Sequence, residues 1–176
     1  QFSGGKIILQ PGERKKVTVK SKWENPKLWN PETPYLYYLT SKIIKEAAGK
    51  KELVDTEQRR FGFREIWIEG TKLMLNGNRL NLLGTSINTH GQGYNRGRYK
   101  YITEETFNRT VDRLQYFNIN CVRFHQQPAS KRIIEIADER GLLVVEESPM
   151  YARDYILKSN NEVYLRNALA WLKPWV

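Results

Sequence analysis

The sequence predicts a two-part chain: an antiparallel β portion over residues 1–66 and a parallel α/β portion over residues 67–176. Residues 1–66 run in short stretches of β-favouring side chains broken by turn pairs, without helical periodicity. After Gly84 short apolar runs alternate with amphipathic helical patterns. The stretch Leu142-Leu143-Val144-Val145 is almost continuously apolar, as a strand of a parallel sheet covered on both faces must be.

In order, Lys6-Ile7-Ile8-Leu9 and Lys15-Lys16-Val17-Thr18-Val19-Lys20 are expected as strands on either side of the turn pair Pro11-Gly12. Tyr35 to Ile44 is rich in aromatic and β-branched residues, and Leu53-Val54-Asp55-Thr56 leads into a further strand after a turn at Ala48-Gly49-Lys50-Lys51. Such strands argue for an antiparallel sandwich. Four or five are too few to close one, so the domain is expected to begin upstream of Gln1. Asn76-Gly77, between Leu73-Met74-Leu75 and Leu80-Asn81-Leu82-Leu83, is the dipeptide that most favours a tight hairpin. Thr103 is placed to cap a helix with Glu104 and Glu105 in its first turn, and Phe107, Val111, Leu114 and Phe117 share one face of it. Ile119 to Phe124 reads as a buried strand. Ala129 to Arg140 reads as a second helix stopped by Gly141, with Ile133, Ile136 and Ala137 inward. Glu162 to Trp175 resembles a third, whose Trp171 and Trp175 are expected in the core. No Gly-x-Gly-x-x-Gly follows a strand, so dinucleotide binding is unsupported.

Of 176 residues, 40% are hydrophobic and 27% charged, a globular balance. The net charge of +10 divides into +6 on residues 1–66 and +4 on residues 67–176, with no basic helix, so a solvated basic surface is expected and nucleic-acid binding is not. No apolar run approaches the roughly 18 residues of a membrane span. Gln1-Phe2-Ser3-Gly4-Gly5 resembles neither a signal peptide nor a start, which suggests an excised product. The single cysteine, Cys121, rules out an internal disulfide and is expected to serve packing. It leaves the compartment open, the reading leaning to the periplasm or the cell exterior.

Several segments together resemble glycoside hydrolase family 2, the group of β-galactosidases, β-glucuronidases and β-mannosidases. They are Trp29-Asn30-Pro31-Glu32-Thr33-Pro34-Tyr35-Leu36-Tyr37, Phe61-Gly62-Phe63-Arg64 and Leu75-Asn76-Gly77-Asn78-Arg79-Leu80 with Leu83-Gly84. Asn118 to Arg123, Ala137-Asp138-Glu139-Arg140-Gly141-Leu142 and Glu147-Ser148-Pro149 follow in the family's order. The resemblance implies the end of an immunoglobulin-like β-sandwich over residues 1–66 and the first three β/α units of a (β/α)8 TIM barrel over residues 67–176. The chain departs from the family at Arg123-Phe124-His125-Gln126-Gln127-Pro128, where the histidine stands one residue early. Met150-Tyr151 replaces the Glu and His that follow the third strand in magnesium-binding members, so no metal is expected, and no cofactor. Galactoside, glucuronide and mannoside specificities are not separated by these motifs.

Barrel active sites lie at the C-terminal ends of the strands. The resemblance therefore points to Asn88 and His90 after the first strand, Arg123 and His125 at the second, and Glu146 or Glu147 after the third, as contacts for a β-linked glycoside. Arg123 must find a carboxylate, since an unpaired charge in an apolar strand is costly. Glu146 and Glu147, adjacent in an extended strand, face opposite ways, so one can meet Arg123 while the other is structural. Val122 and Val144 are expected to face the barrel interior. In the family the acid/base glutamate follows the fourth strand and the nucleophile the seventh. No catalytic residue is therefore expected here, the chain alone is expected to be inactive, and its exposed barrel edge would offer a surface for self-association. A non-catalytic carbohydrate-binding or scaffold module is the alternative.

Overall fold

The computed structural model describes residues 3–87, 102–125, 128–147 and 162–173. Strands β1 (Tyr37–Ala47) and β2 (Lys50–Phe61) form an antiparallel ribbon, with Ala47 opposite Lys50 and Tyr37 opposite Phe61. The two-residue turn between them puts both Ala48 (φ 50°) and Gly49 (φ 77°) in the left-handed region, which matches the twist of the flanking strands. A meander follows: β3 (Ile66–Glu69), β4 (Lys72–Leu75) and β5 (Asn78–Leu80). Its second turn is the expected Asn76-Gly77, at φ 50° and 84°.

Residues 6–9 and 15–20, expected as strands, belong to no ladder among the described residues. Between them, the Glu13 N–H donates to Gln10 O at 3.0 Å and closes a turn. A strand exists only through its neighbour, and alternation of side chains cannot supply one. Of the sandwich expected over residues 1–66, the described residues contain this ribbon, most of whose side chains are exposed, and an isolated bridge between Leu28 and Phe63.

The third sheet is parallel, in the order β6 (Gly84–Ile87), β7 (Cys121–Phe124), β8 (Leu143–Glu146). Helix α1 (Glu104–Tyr116) begins at Thr103, whose hydroxyl accepts from Thr106 N. Helix α2 (Lys131–Arg140) begins at Ser130, whose hydroxyl accepts from Ile133 N, and ends at Gly141 in the left-handed region. A third helix, α3, spans Glu162–Leu172; Trp175 and the side chain of Trp171 lie outside the described residues. Among the described residues no helix is long and apolar enough to cross a membrane.

The core lies between the sheet and two helices: Phe107, Val111 and Leu114 of α1, Ile133, Ile136 and Ala137 of α2, and Val122 and Phe124 of β7. Val122 and Val144 thus face the helices, not the barrel interior. Successive strand residues alternate, and burying Cys121 on one face sends Val122 to the other. Phe117, expected on the buried face of α1, is 69% exposed, because the helix ends at Tyr116 and Phe117 serves as its C-cap.

The interior face of the sheet is plugged at its N-terminal end by Trp29, 1% exposed, packed with Cys121 and Leu143. Burial raises the Cys121 thiol pKa, in keeping with a packing role. Trp29 Nε1 donates to Asp138 O at 2.7 Å, and Arg64 stacks 4.6 Å over its ring. Arg60 donates to Glu135 O at 3.0 Å and pairs with Asp138 and Glu139, setting a cation against the C-terminal end of the α2 dipole. The Asn76 amide donates to Trp29 O at 2.9 Å and Asn30 Oδ1 at 2.8 Å, while its Oδ1 accepts from Glu65 N at 2.9 Å. Asn120 accepts from Leu83 N at 3.0 Å and donates to Asn81 O at 2.9 Å, pinning the start of β6 beside β7. These contacts fix one end of the parallel sheet and leave the other free to carry a site.

Candidate functional site

At the C-terminal ends of β6, β7 and β8 the interior face bears Ser86, Arg123 and, one residue past β8, Glu147. The parallel register sets Ser86 beside Arg123. Arg123 Nε donates to Glu147 Oε1 at 2.5 Å, its Nη2 pairs with the same oxygen, and its Nη1 donates to Ser86 Oγ at 3.1 Å. The guanidinium is therefore held between groups on the two flanking strand segments, with two of its N–H groups converging on one carboxylate oxygen as a charge-assisted pair.

His125 follows β7. Its backbone N–H donates to Ile87 O at 2.9 Å, extending the β6–β7 ladder by one step. Its Nδ1 lies 3.5 Å from Glu147 Oε2, within ion-pair reach, yet makes no hydrogen bond among the described residues although that atom is buried. Glu147 thus stands between Arg123 and His125.

The adjacent glutamates have separate tasks. Glu146 Oε1 accepts from Ala129 N at 3.0 Å, tying the end of β8 to the approach to α2. Glu147 turns to Arg123, as the alternation of an extended chain requires. Neither is spare for a step that needs an unengaged carboxyl.

Of the residues singled out from the sequence, Arg123, His125 and Glu147 come together; Asn88, His90 and Met150-Tyr151 lie outside the described residues. Among the described residues no group of three or more His, Cys, Asp or Glu side chains could hold a metal ion. Ser86 was missed. Its signal is its register opposite Arg123, a pairing between β6 and β7 that no local pattern reveals.

Residues 3–64 match the family model for glycosyl hydrolases family 2, and residues 66–170 match that for the glycosyl hydrolases family 2 TIM barrel domain. A β-galactosidase of Alteromonas mediterranea is 29% identical over 151 residues, covering 80% of this chain and 14% of its own length. A β-glucuronidase of Paenibacillus borealis is 28% identical over 141 residues, covering 80% of this chain and 22% of its own length. The crystal structure of Parabacteroides merdae β-glucuronidase superimposes with a TM-score of 0.63 at 28% identity, over 81% of this chain and 17% of that one. The chain therefore spans a small part of the length of the curated relatives it matches.

Proposed function

The chain belongs to glycosyl hydrolase family 2, and on that premise we propose that it is a segment of an enzyme that hydrolyses β-linked glycosides with retention of configuration. In this reading residues 1–66 are the end of an immunoglobulin-like sandwich and residues 67–176 the first three β/α units of a (β/α)8 barrel. Arg123, His125 and Glu147, with Asn88 and His90, line the sugar site. The observation that carries it is the Ser86–Arg123–Glu147 cluster, set at the end of the parallel strands where barrel enzymes keep their chemistry.

The residues here would bind and orient. Retaining hydrolysis uses two carboxyls roughly 5–5.5 Å apart, one protonating the leaving oxygen and the other attacking the anomeric carbon. Glu146 is committed to the Ala129 amide and Glu147 to Arg123, which supports placing both reacting carboxyls elsewhere in the enzyme. Arg123 would then supply positive charge beside them, neutralised in the resting site by Glu147.

The test has two arms. The purified 176-residue chain should not turn over chromogenic β-galactosides, β-glucuronides or β-mannosides. The gene should continue past Val176 and encode an Asn-Glu pair within about 40 residues, roughly one further β/α unit. Turnover that follows the chain through chromatography and survives mutation of Glu146 and Glu147 would overturn the reading, as would an open frame lacking that pair.

A further inference from the structure

We propose that Glu147 is a positioning residue that holds neutral His125 with its proton on Nδ1, so that Nε2 serves the site as a hydrogen-bond acceptor. A neutral imidazole carries one N–H and one lone pair, and what faces each nitrogen decides which is which. His125 Nδ1 is buried, without a hydrogen-bond partner among the described residues, and 3.5 Å from Glu147 Oε2. A lone pair on Nδ1 would face a carboxylate and be repelled; an N–H there is attracted, and a small rotation of the ring closes the bond. Burial of the atom removes water as an alternative partner. The backbone bond from His125 N to Ile87 O holds the main chain, so only side-chain torsions are free to adjust.

The tautomer sets what the site can recognise. Of the five N–H groups on Arg123, Nε and one on Nη2 face Glu147 and one on Nη1 faces Ser86; the other two meet no acceptor among the described residues. Arg123 donors beside a His125 acceptor suit a hydroxyl, which both accepts and donates. An ionised carboxylate or phosphate has no proton to give to Nε2. The ligand class is thus a neutral polyol or the hydroxyl-bearing edge of a sugar ring. That assignment rests on the glycoside reading above, whereas the tautomer itself does not.

Long-range 1H–15N correlation spectra of the 15N-labelled full-length enzyme proposed to carry this segment, recorded with His125 neutral, report the tautomer directly. Loss of signals in His125→Gln assigns the imidazole. The expected result is a pyrrole-type shift at Nδ1 of His125 and a pyridine-type shift at Nε2, reversed in Glu147→Leu, which offers Nδ1–H no acceptor. A wild-type His125 protonated on Nε2 overturns the proposal, and so does a Glu147→Leu variant that keeps the wild-type pattern. If that variant does not fold, the wild-type spectrum alone decides. A glycoside that fails to bind the parent enzyme would instead count against the glycoside reading and leave the tautomer result standing.

Discussion

Replacing Gly141 with alanine probes how tightly the N-terminal segment is fitted to the barrel segment. Gly141 closes α2 at φ +72°, and a Cβ built there runs into the carbonyl oxygen of Pro31 and lies 2.8 Å from its carbonyl carbon. Alanine in the left-handed region costs about 1–2 kcal/mol. The clash cannot be relieved by a rotamer, because the atoms it meets are backbone. Pro31 must therefore move away, drawing with it Trp29, whose indole donates to Asp138 O at 2.7 Å. Weakening that bond adds about 1 kcal/mol, and partial re-exposure of Trp29 adds more, so the total loss is about 3–5 kcal/mol. Gly70→Ala is the control: its φ is +60° but nothing lies within 4 Å of the added carbon, so only the conformational cost applies. Urea unfolding followed by tryptophan fluorescence measures both. Equal losses, within about 0.5 kcal/mol, would refute the fitted contact.

Two further outcomes follow from the same interface. Cys121 is 5% exposed and its thiol pKa is raised by burial, so alkylation by iodoacetamide should be negligible in the native chain and rapid in urea; prompt native labelling would contradict its packing against Trp29. The Asp138 carboxyl pKa is raised by burial, against the opposing pull of Arg64 and Arg60. The folded state therefore takes up its proton more readily than the unfolded one, and the wild type should lose stability relative to Asp138→Asn as pH rises above about 4. Paired urea midpoints across that range check this, and a difference that stays flat or reverses would contradict it.

The parts read well from sequence were those decided locally. Thr103 and Gly141 mark helix ends, Asn76-Gly77 makes its turn, and the period of Phe107, Val111 and Leu114 gives the buried face of α1. What was misread depends on neighbours remote in the chain. Val122 and Val144 are as apolar as interior barrel residues, but Trp29 claims the Cys121 face and leaves them to the helices. Lys15 to Lys20 alternates like a strand without a ladder among the described residues. At the site, alternation separated Glu146 from Glu147 without saying which meets Arg123, and Ser86 needed the β6–β7 register. Several segments that carry the family resemblance, Trp29-Asn30-Pro31, Arg64, Asn76-Gly77 and Asp138 to Gly141, turn out to join the N-terminal segment to the barrel segment. They identify the family through its architecture; Arg123 and Glu147 belong to the candidate site itself.

The most direct test of the central claim is kinetic, on the longer enzyme proposed to carry this segment. Arg123→Ala and His125→Ala should each lower kcat/KM for its best β-glycoside by about 100-fold or more while shifting Tm by only a few degrees, because both stand at the strand ends where the scaffold keeps chemistry rather than stability. Variants that fold normally and hydrolyse the glycoside at the wild-type rate would show that the Arg123–Glu147–His125 cluster is structural and that the sugar site lies elsewhere.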